Sequence, residues 1–271
     1  MLQTLTHKSY YEILKSQAGR LLPEAEYTGI VTPAQQAKEI KLLKNTLHYE
    51  KFFFVINHHS FITEEVHGIK RWLGYAEKEF TIKKYFSIIH PAHLIAQMTS
   101  AYELLESFIS GEWPIGFMSH SFINTIALQH ANGEYLLFKR IAWPFQHDAE
   151  NRLLSILNEF TLVGRYNNEP YTVRLADTDG NAIDWNDEML KRTKHNFQKQ
   201  MAFSLQEQRL LGKYAYNPGF TTAEIAAMFN VKDSTVITYK KRILSKAEKL
   251  FHQRFKTAKH VAEYLREQGL V

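Results

Sequence analysis

The residues best suited to chemistry lie near the C-terminus, where hydroxyl-bearing and basic side chains share one helical face. At about 100° per residue, this face presents Ser234, Ile237, Thr238, Lys241 and Arg242 opposite an apolar stripe. Lys and Arg neutralise phosphates and release their counterions, while Lys, Thr and Ile side chains suit contacts with base edges. The face therefore predicts nucleic-acid binding. The alternative is a helical hairpin whose basic face is only solvated.

Two helices must position this face. Thr221 and Glu224 have the spacing of a capping box, which begins a helix. A tight turn over residues 230–232 follows, and a second helix then places its apolar residues at spacings of three and four. Those apolar residues are Val236, Tyr239, Ile243, Ala247 and Leu250. Two helices joined by a tight turn, the second with a basic outer face, are typical of a helix-turn-helix.

The 13 histidines raise metal or haem binding as alternatives. His58 and His59 are adjacent, so in a strand they point to opposite faces, and a proline separates His90 from His93. We expect structural roles for the histidines, with His93 and His120 as the candidates for a haem ligand. No Gly-x-Ser-x-Gly elbow, Walker loop or dinucleotide fingerprint is present. We predict no catalytic residue, no metal and no cofactor, and an enzyme built on the N-terminal part is the weaker alternative.

Composition limits the function further. Without cysteine, the chain has no disulfide framework, thiolate metal site or cysteine nucleophile. The net charge of +5 over 271 residues is unevenly distributed, because residues 189–271 hold 16 Lys and Arg against 6 Asp and Glu. That +10 segment follows a −5 segment, which predicts a basic nucleic-acid-binding module joined to an acidic domain. No signal peptide or membrane-spanning run is visible, so we expect a cytoplasmic protein without membrane contact.

The first two thirds of the chain predict an α+β domain with an antiparallel sheet and short helices. Residues 1–49 are expected to form a helical extension, with Thr32 capping a helix that Pro33 begins. Residues 52–56 have the aromatic and β-branched composition of a buried strand. Asn132-Gly133 predicts a hairpin with a two-residue loop between strands.

Residues 50–166 contain three short motifs, which are Trp72-Leu73-Gly74-Tyr75 followed by Glu79, then Ile88-Ile89-His90-Pro91, and Asn132-Gly133-Glu134-Tyr135. Through these motifs, this part of the chain resembles a PAS sensor domain. The resemblance implies a domain that senses a small ligand or mediates dimerisation. It does not identify the residues that would line a ligand cavity.

Residues 201–271 contain four stretches that match a family pattern, which are Ser204-Leu205-Gln206-Glu207, the eight residues from Gly219 to Ala226, Thr235-Val236, and the ending Gly269-Leu270-Val271. Through these stretches, this part of the chain resembles the LuxR-type DNA-binding domain, an all-α module of four helices. By the resemblance, the residues that face bases are Ile237, Thr238 and Lys241. Those that mostly touch phosphates are Thr221, Thr222, Lys232, Ser234, Thr235, Lys240 and Arg242. A sigma-factor-like promoter-binding module is a related alternative that the ending disfavours.

Together the two resemblances imply a sensor–effector transcriptional regulator. Its predicted parts are a helical extension (1–49), a PAS-like sensor domain (50–166), a linker with a connecting helix (167–200) and the LuxR-type domain (201–271). The expected partners are double-stranded DNA and a second copy of the chain, with RNA polymerase and a small ligand as further candidates. The alternative is a PAS-like protein-interaction adaptor whose basic tail binds DNA without sequence preference.

Overall fold

The computed structural model describes residues 11–12, 14–16, 18–19, 28–94, 96–98, 100–101, 116–183, 203–251 and 254–267. They divide into two compact units. The N-terminal unit, residues 11–183, contains helices α1 (Pro33–Thr46), α2 (Ile69–Leu73) and α3 (Ile82–Ile88) and strands β1 (Lys51–Asn57), β2 (Ile62–His67), β3 (Ser121–Gln129), β4 (Tyr135–His147), β5 (Leu153–Arg165) and β6 (Val173–Ala176). The C-terminal unit, residues 203–267, contains α4 (Leu205–Tyr216), α5 (Thr222–Phe229), α6 (Asp233–Phe251) and α7 (Ala258–Glu267).

The six strands form one antiparallel sheet in the order β2-β1-β5-β4-β3-β6. Phe52 of β1 lies opposite Phe160 of β5, and Arg140 of β4 lies opposite both Phe160 and Asn124 of β3. Because side chains alternate between the two faces of a sheet, these four residues share one face. The antiparallel sheet with short helices predicted for this part of the chain is confirmed.

The shared face buries an aromatic core. The rings of Phe52 and Phe160 stack with their centroids 4.5 Å apart, and Tyr85 of α3 lies 5.1 Å from Phe54. Each of these side chains is at most 1% exposed, and burying one contributes about 1.5–3 kcal/mol. On the opposite face, apolar side chains of α1 cover β1, β4 and β5, in a cluster of Ile40, Leu43, Phe53, Val55, Phe145 and Leu157. The sheet is therefore covered on both faces.

Helix α1 begins as the sequence predicts. Thr32 accepts a hydrogen bond from the Gln35 backbone, and the Gln35 side chain accepts one from the Thr32 backbone, with Pro33 in the first turn. The α1 side chain of Gln36 donates to the Phe145 carbonyl oxygen, which joins the helix to β4. The remainder of the predicted extension, before residue 11 and between residues 20 and 27, lies outside the described residues.

The hairpin between β3 and β4 forms where Asn132-Gly133 predicts it, but its loop is longer than two residues. The amide of His130 donates to the Glu134 carbonyl and the amide of Gly133 donates to the His130 carbonyl, which encloses residues 131–133. Gly133 has φ +94°, the conformation that a three-residue hairpin loop needs at its last position. The prediction of a two-residue loop is wrong because Ala131 belongs to the loop together with Asn132 and Gly133.

The sheet extends into the stretch predicted as a linker, residues 167–200. Strand β6 pairs antiparallel with β3, with Ser121 opposite Ala176 and Asn124 opposite Val173. The sequence signal is weak because β6 has only four residues, too few to establish an alternation of apolar and polar side chains. The connecting helix predicted further along falls within residues 184–202, outside the described residues. Among the helices that the structure describes, none is long and apolar enough to cross a membrane.

Candidate functional site

A buried ion pair ties α4 to α6 in the C-terminal unit. Ser204 and Glu207 form a capping box at the start of α4, and the Glu207 carboxylate accepts from the Ser204 amide at 2.6 Å. The same oxygen accepts from the Lys246 ammonium at 2.6 Å, and the Glu207 side chain is only 1% exposed. One carboxylate thus begins a helix and holds α6 against it.

Helix α5 and helix α6 meet at a tight turn. Thr221 caps α5, and the Glu224 carboxylate accepts from both the backbone and the hydroxyl of Thr221. These hydrogen bonds lower the pKa of Glu224, with the Thr221 backbone as the largest cause. Asn230 ends α5 in the left-handed conformation with φ +51°, and the Val231 amide donates back to the Ala226 carbonyl. Asn is the residue other than Gly that best adopts this conformation, so the local sequence accounts for the turn.

The face of α6 opposite its buried stripe is open to solvent. Val236, Ile243 and Ala247 are buried against the unit, which fixes the rotation of the helix about its axis. The predicted site residues that are exposed are Thr221, Lys232, Ser234, Ile237, Thr238, Lys241 and Arg242. Ile237 is 46% exposed, a large apolar side chain among polar neighbours. Within the described residues, Lys241 and Arg242 form no hydrogen bond or ion pair, so their charges are available.

Three predicted site residues, Thr222, Thr235 and Lys240, are less exposed than the others. The Lys240 ammonium donates to the Thr222 hydroxyl at 2.7 Å and lies 5.5 Å from the ring centroid of Tyr214. Thr222 and Thr235 are both half-buried. Lys240 therefore joins α6 to the start of α5, and a phosphate contact by Lys240 stays a prediction.

Thr238 has a defined hydrogen-bonding state. Its hydroxyl donates to the Ser234 carbonyl at 2.9 Å, one turn earlier in α6. With the proton used within the helix, the exposed lone pairs are acceptors, which suits a donor such as the amino group of adenine or cytosine. Lys241 supplies only donors, so adjacent positions of this face offer opposite hydrogen-bonding character.

A second candidate site is a cavity inside the N-terminal unit, between the sheet and the helices on its aromatic face. Its volume is about 70 Å³, and its walls are mainly apolar, with Tyr85, Phe122 and Trp143 among them. Polar side chains also reach it, including His58, Arg140 and Asn158. An apolar cavity with a few convergent polar groups is the usual form of a small-molecule site.

Arg140 is the most unusual residue of that cavity, because it is a buried cation held only by neutral groups. Its Nε and Nη2 donate to Asn158 Oδ1 at 2.9 and 2.6 Å, and its Nη1 donates to Asn124 Oδ1 at 3.0 Å. Asn124 in turn donates to Gln97, which also accepts from the Tyr171 hydroxyl. Arg140 is 7% exposed and pairs with no carboxylate among the described residues.

Two other polar groups at the cavity are buried without hydrogen-bond partners in the described structure. They are the Tyr85 hydroxyl and both ring nitrogens of His58, although part of the His58 residue is exposed. Burial, assisted by the positive charge of Arg140, lowers the pKa of His58 to about 4. Burial raises the pKa of Tyr85, and the Arg140 charge opposes that shift. His58 and Tyr85 are therefore neutral at pH 7 and offer hydrogen bonds that the described residues do not use.

The histidine suggested as a haem ligand has a structural role. His93 is fully buried, its Nδ1 accepts from the Ala127 amide at 3.0 Å, and its Nε2 lies 2.9 Å from the Glu169 carbonyl. Both ring nitrogens are thus engaged with backbone, which leaves none for iron. His120, the other candidate, has its Nδ1 3.0 Å from the Ser119 hydroxyl. In the described part of the chain, no group of three or more histidine and acidic residues could hold a metal ion.

The sequence pattern did not identify the cavity, although it carried a usable signal. Arg140 lies between Phe138 and Ala142 at the alternating positions of one strand face, where an apolar residue is expected. Asn124 and Asn158 occupy inward positions of β3 and β5 in the same way. A cation at an inward position of a buried strand indicates a polar network or a ligand.

No protein-family model matches the chain, and no curated protein matches it. Among solved structures, it aligns with the VqmA dimer of Vibrio cholerae, a LuxR-type receptor solved in the absence of its target DNA, at 11% identity and a TM-score of 0.30, with 89% of each chain covered. It aligns with SdiA of Escherichia coli at 15% identity and a TM-score of 0.27, covering 96% of this chain and 98% of SdiA. At TM-scores this low, the alignments carry no inference about this chain.

Proposed function

We propose that this chain is a sequence-specific DNA-binding transcriptional regulator and not an enzyme. The observation that carries the proposal is the outer face of α6, which is exposed, basic and held rigidly across a tight turn from α5. In a helix-turn-helix, the first helix rests against the phosphates while the N-terminal half of the second enters the major groove. Ile237, Thr238 and Lys241 lie on that half of α6.

The side chains of this face suit both parts of DNA recognition, which are contacts with phosphates and contacts with base edges. Lys232 and Arg242 are exposed cations that would neutralise phosphates and release counterions, which gives affinity without sequence preference. Lys241 would donate to guanine O6 and N7, Thr238 would accept from a base amino group, and Ile237 would contact a thymine methyl group. Thr221 and Thr222, at the start of α5, would lie near the backbone together with Ser234, Thr235 and Lys240.

We assign a sensory role to the N-terminal unit. The strand order β2-β1-β5-β4-β3, the short helices on one face and the cavity beneath them support a PAS-like domain that takes a small ligand. Because β6 adds to that sheet, we place the end of the domain near residue 183 instead of 166. The LuxR-type four-helix domain is proposed from residue 201 onward.

The spacing of half-sites on DNA indicates how two copies of the chain would assemble. A helix-turn-helix reads half-sites about one helical turn apart as a two-fold dimer, so we propose a homodimer on a pseudo-palindrome. A ligand would act by favouring one arrangement of the two DNA-binding modules, which requires different affinity for the two arrangements. Contact with RNA polymerase and a cytoplasmic location stay predictions.

The test compares two lysines of the same helix. Bound sequences are selected from random DNA at a stated salt concentration, and affinities are then measured for Lys241→Ala and for Lys249→Ala. Both residues are exposed, but Lys249 lies in the last turn of α6, away from the half that faces DNA. Lys241→Ala should cost about 1–3 kcal/mol of binding and relax preference at one base pair, while Lys249→Ala should leave the preference unchanged.

The adaptor alternative gives a different result. A basic tail without sequence preference would select no motif, and the two substitutions would weaken binding equally. Each would reduce the slope of log affinity against log salt concentration by about one. Sequence preference that persists as salt rises supports the regulator. An unchanged preference and affinity in Lys241→Ala would refute the assignment of Lys241. A monomer on DNA by analytical ultracentrifugation would refute the homodimer.

A further inference from the structure

The cavity of the N-terminal unit contains an uncompensated positive charge. Taking a guanidinium out of water is costly, and a counter-charge offsets part of that cost. Arg140 has only amide oxygens as partners, and the described residues that line the cavity include no Asp or Glu. The Arg140 charge acts within the cavity, since it lowers the pKa of His58 and opposes the rise in the pKa of Tyr85.

The guanidinium also has unused donors. It carries five N–H groups, of which the bonds to Asn124 and Asn158 use three. The two that remain are one N–H on each terminal nitrogen, Nη1 and Nη2, and N–H groups of a guanidinium bind carboxylate oxygens strongly. The Asn side chains hold the guanidinium plane in place, so these donors are ordered before any ligand arrives.

We propose that the cavity binds a short monocarboxylate, with the carboxylate on Arg140 and the apolar body against Tyr85, Phe86 and Leu153. The volume of about 70 Å³ is roughly half of an engineered cavity that admits benzene, so the acid is smaller than benzene and its apolar body is one or two carbons. The unpartnered Tyr85 hydroxyl donates to the carboxylate, as does a ring N–H of His58. Charge selects the acid over its neutral analogues, and the apolar walls select it over inorganic anions.

The role of the acid as a signal rests on the proposed function, whereas its binding does not. Binding is therefore measured on the full chain without DNA, by calorimetric titration at pH 7 with acetate, acetamide and inorganic phosphate. Acetate and acetamide have nearly the same shape and differ in charge. We expect acetate to bind at least tenfold more tightly than either of the other two.

Substitutions then test whether Arg140 supplies the charge that binds the acid. Arg140→Gln should lower the affinity for acetate at least tenfold and remove the preference for the acid over the amide, while Arg140→Lys should lose less affinity. Arg174→Gln is the matched control, because Arg174 is exposed on β6, and it should bind as the unsubstituted chain does. If Arg140→Gln fails to fold, as judged by tryptophan fluorescence, the comparison of acetate with acetamide in the unsubstituted chain still decides.

Four results would overturn the assignment. They are equal binding of acetate and acetamide, no binding of acetate, tighter binding of phosphate than of acetate, and full acetate affinity in a folded Arg140→Gln chain. Failure of the proposed function is separate. A chain that binds acetate but selects no DNA motif refutes the regulator alone, and a chain that selects a motif but does not bind acetate refutes the ligand alone.

Discussion

Acidification should destabilise the N-terminal unit through His93. This ring is fully buried among His90, Tyr166 and Tyr171, and burial lowers its pKa to about 4, partly offset by its hydrogen bond to the Glu169 carbonyl. In the unfolded chain the pKa is 6.5, so below that pH the unfolded state binds a proton that the folded state does not. The stability that His93 provides is therefore complete above pH 6.5 and is lost as the pH falls toward 4.

The size of the effect follows from the two pKa values. Between pH 7 and pH 5, a histidine titrating at 6.5 unfolded and about 4 folded removes about 2 kcal/mol from the free energy of unfolding. His58 and His90, whose pKa values burial also lowers to about 4, act in the same direction. A loss of this size is a large part of the stability of an ordinary domain.

Tryptophan fluorescence reports the unfolding of the N-terminal unit selectively, because all four tryptophans of the chain precede residue 203, where the C-terminal unit begins. Urea unfolding at pH 7 and pH 5 gives the two free energies. His93→Gln should lower stability at pH 7 by about 1–3 kcal/mol, since the Ala127 amide loses its acceptor, and should reduce the pH-dependent loss by about 2 kcal/mol. The same pH-dependent loss in both chains would show that His93 is not held neutral by burial, and the reasoning would be wrong.

Two further substitutions test the scaffold of the C-terminal unit. Lys246→Met leaves the buried Glu207 carboxylate without its cation and should destabilise the contact of α4 with α6 by about 2–3 kcal/mol, measured by hydrogen exchange of those helices, whereas adding Glu207→Gln should restore most of the loss. Thr221→Ala removes the cap of α5 and should cost about 1 kcal/mol, seen as faster exchange of the Glu224 amide, while Thr221→Asn should preserve it.

The sequence predicts best where a structure depends on neighbours along the chain. The capping box joins Thr221 and Glu224, which are three positions apart in the sequence, and its hydrogen bonds form as expected. The buried stripe of α6 is equally local, because helical periodicity alone aligns Val236, Ile243 and Ala247. These two features orient the outer face of α6, so most of the candidate DNA interface follows from spacing.

The cavity could not be predicted in the same way. The partners of Arg140 lie 16 and 18 residues away, on β3 and β5, and their meeting depends on the register of three strands. A shift of one residue in any pairing would turn these polar side chains to the opposite face. Strand β6 shows the same limit, since its place in the sheet depends on β3 and not on its own four residues.

The positive charges considered in the two units differ in their exposure, and the two proposed functions differ accordingly. Lys232, Lys241 and Arg242 are exposed, so salt screens their attraction for phosphates and each contact competes with counterions. Arg140 is buried, and salt screens a buried pair far less. A net charge of +5 conceals this difference. Under the two proposals, the exposed cations would give affinity for DNA, and the buried cation would give selectivity for a small anion. We therefore predict that DNA binding weakens steeply as salt rises, whereas binding of the acid in the cavity does not.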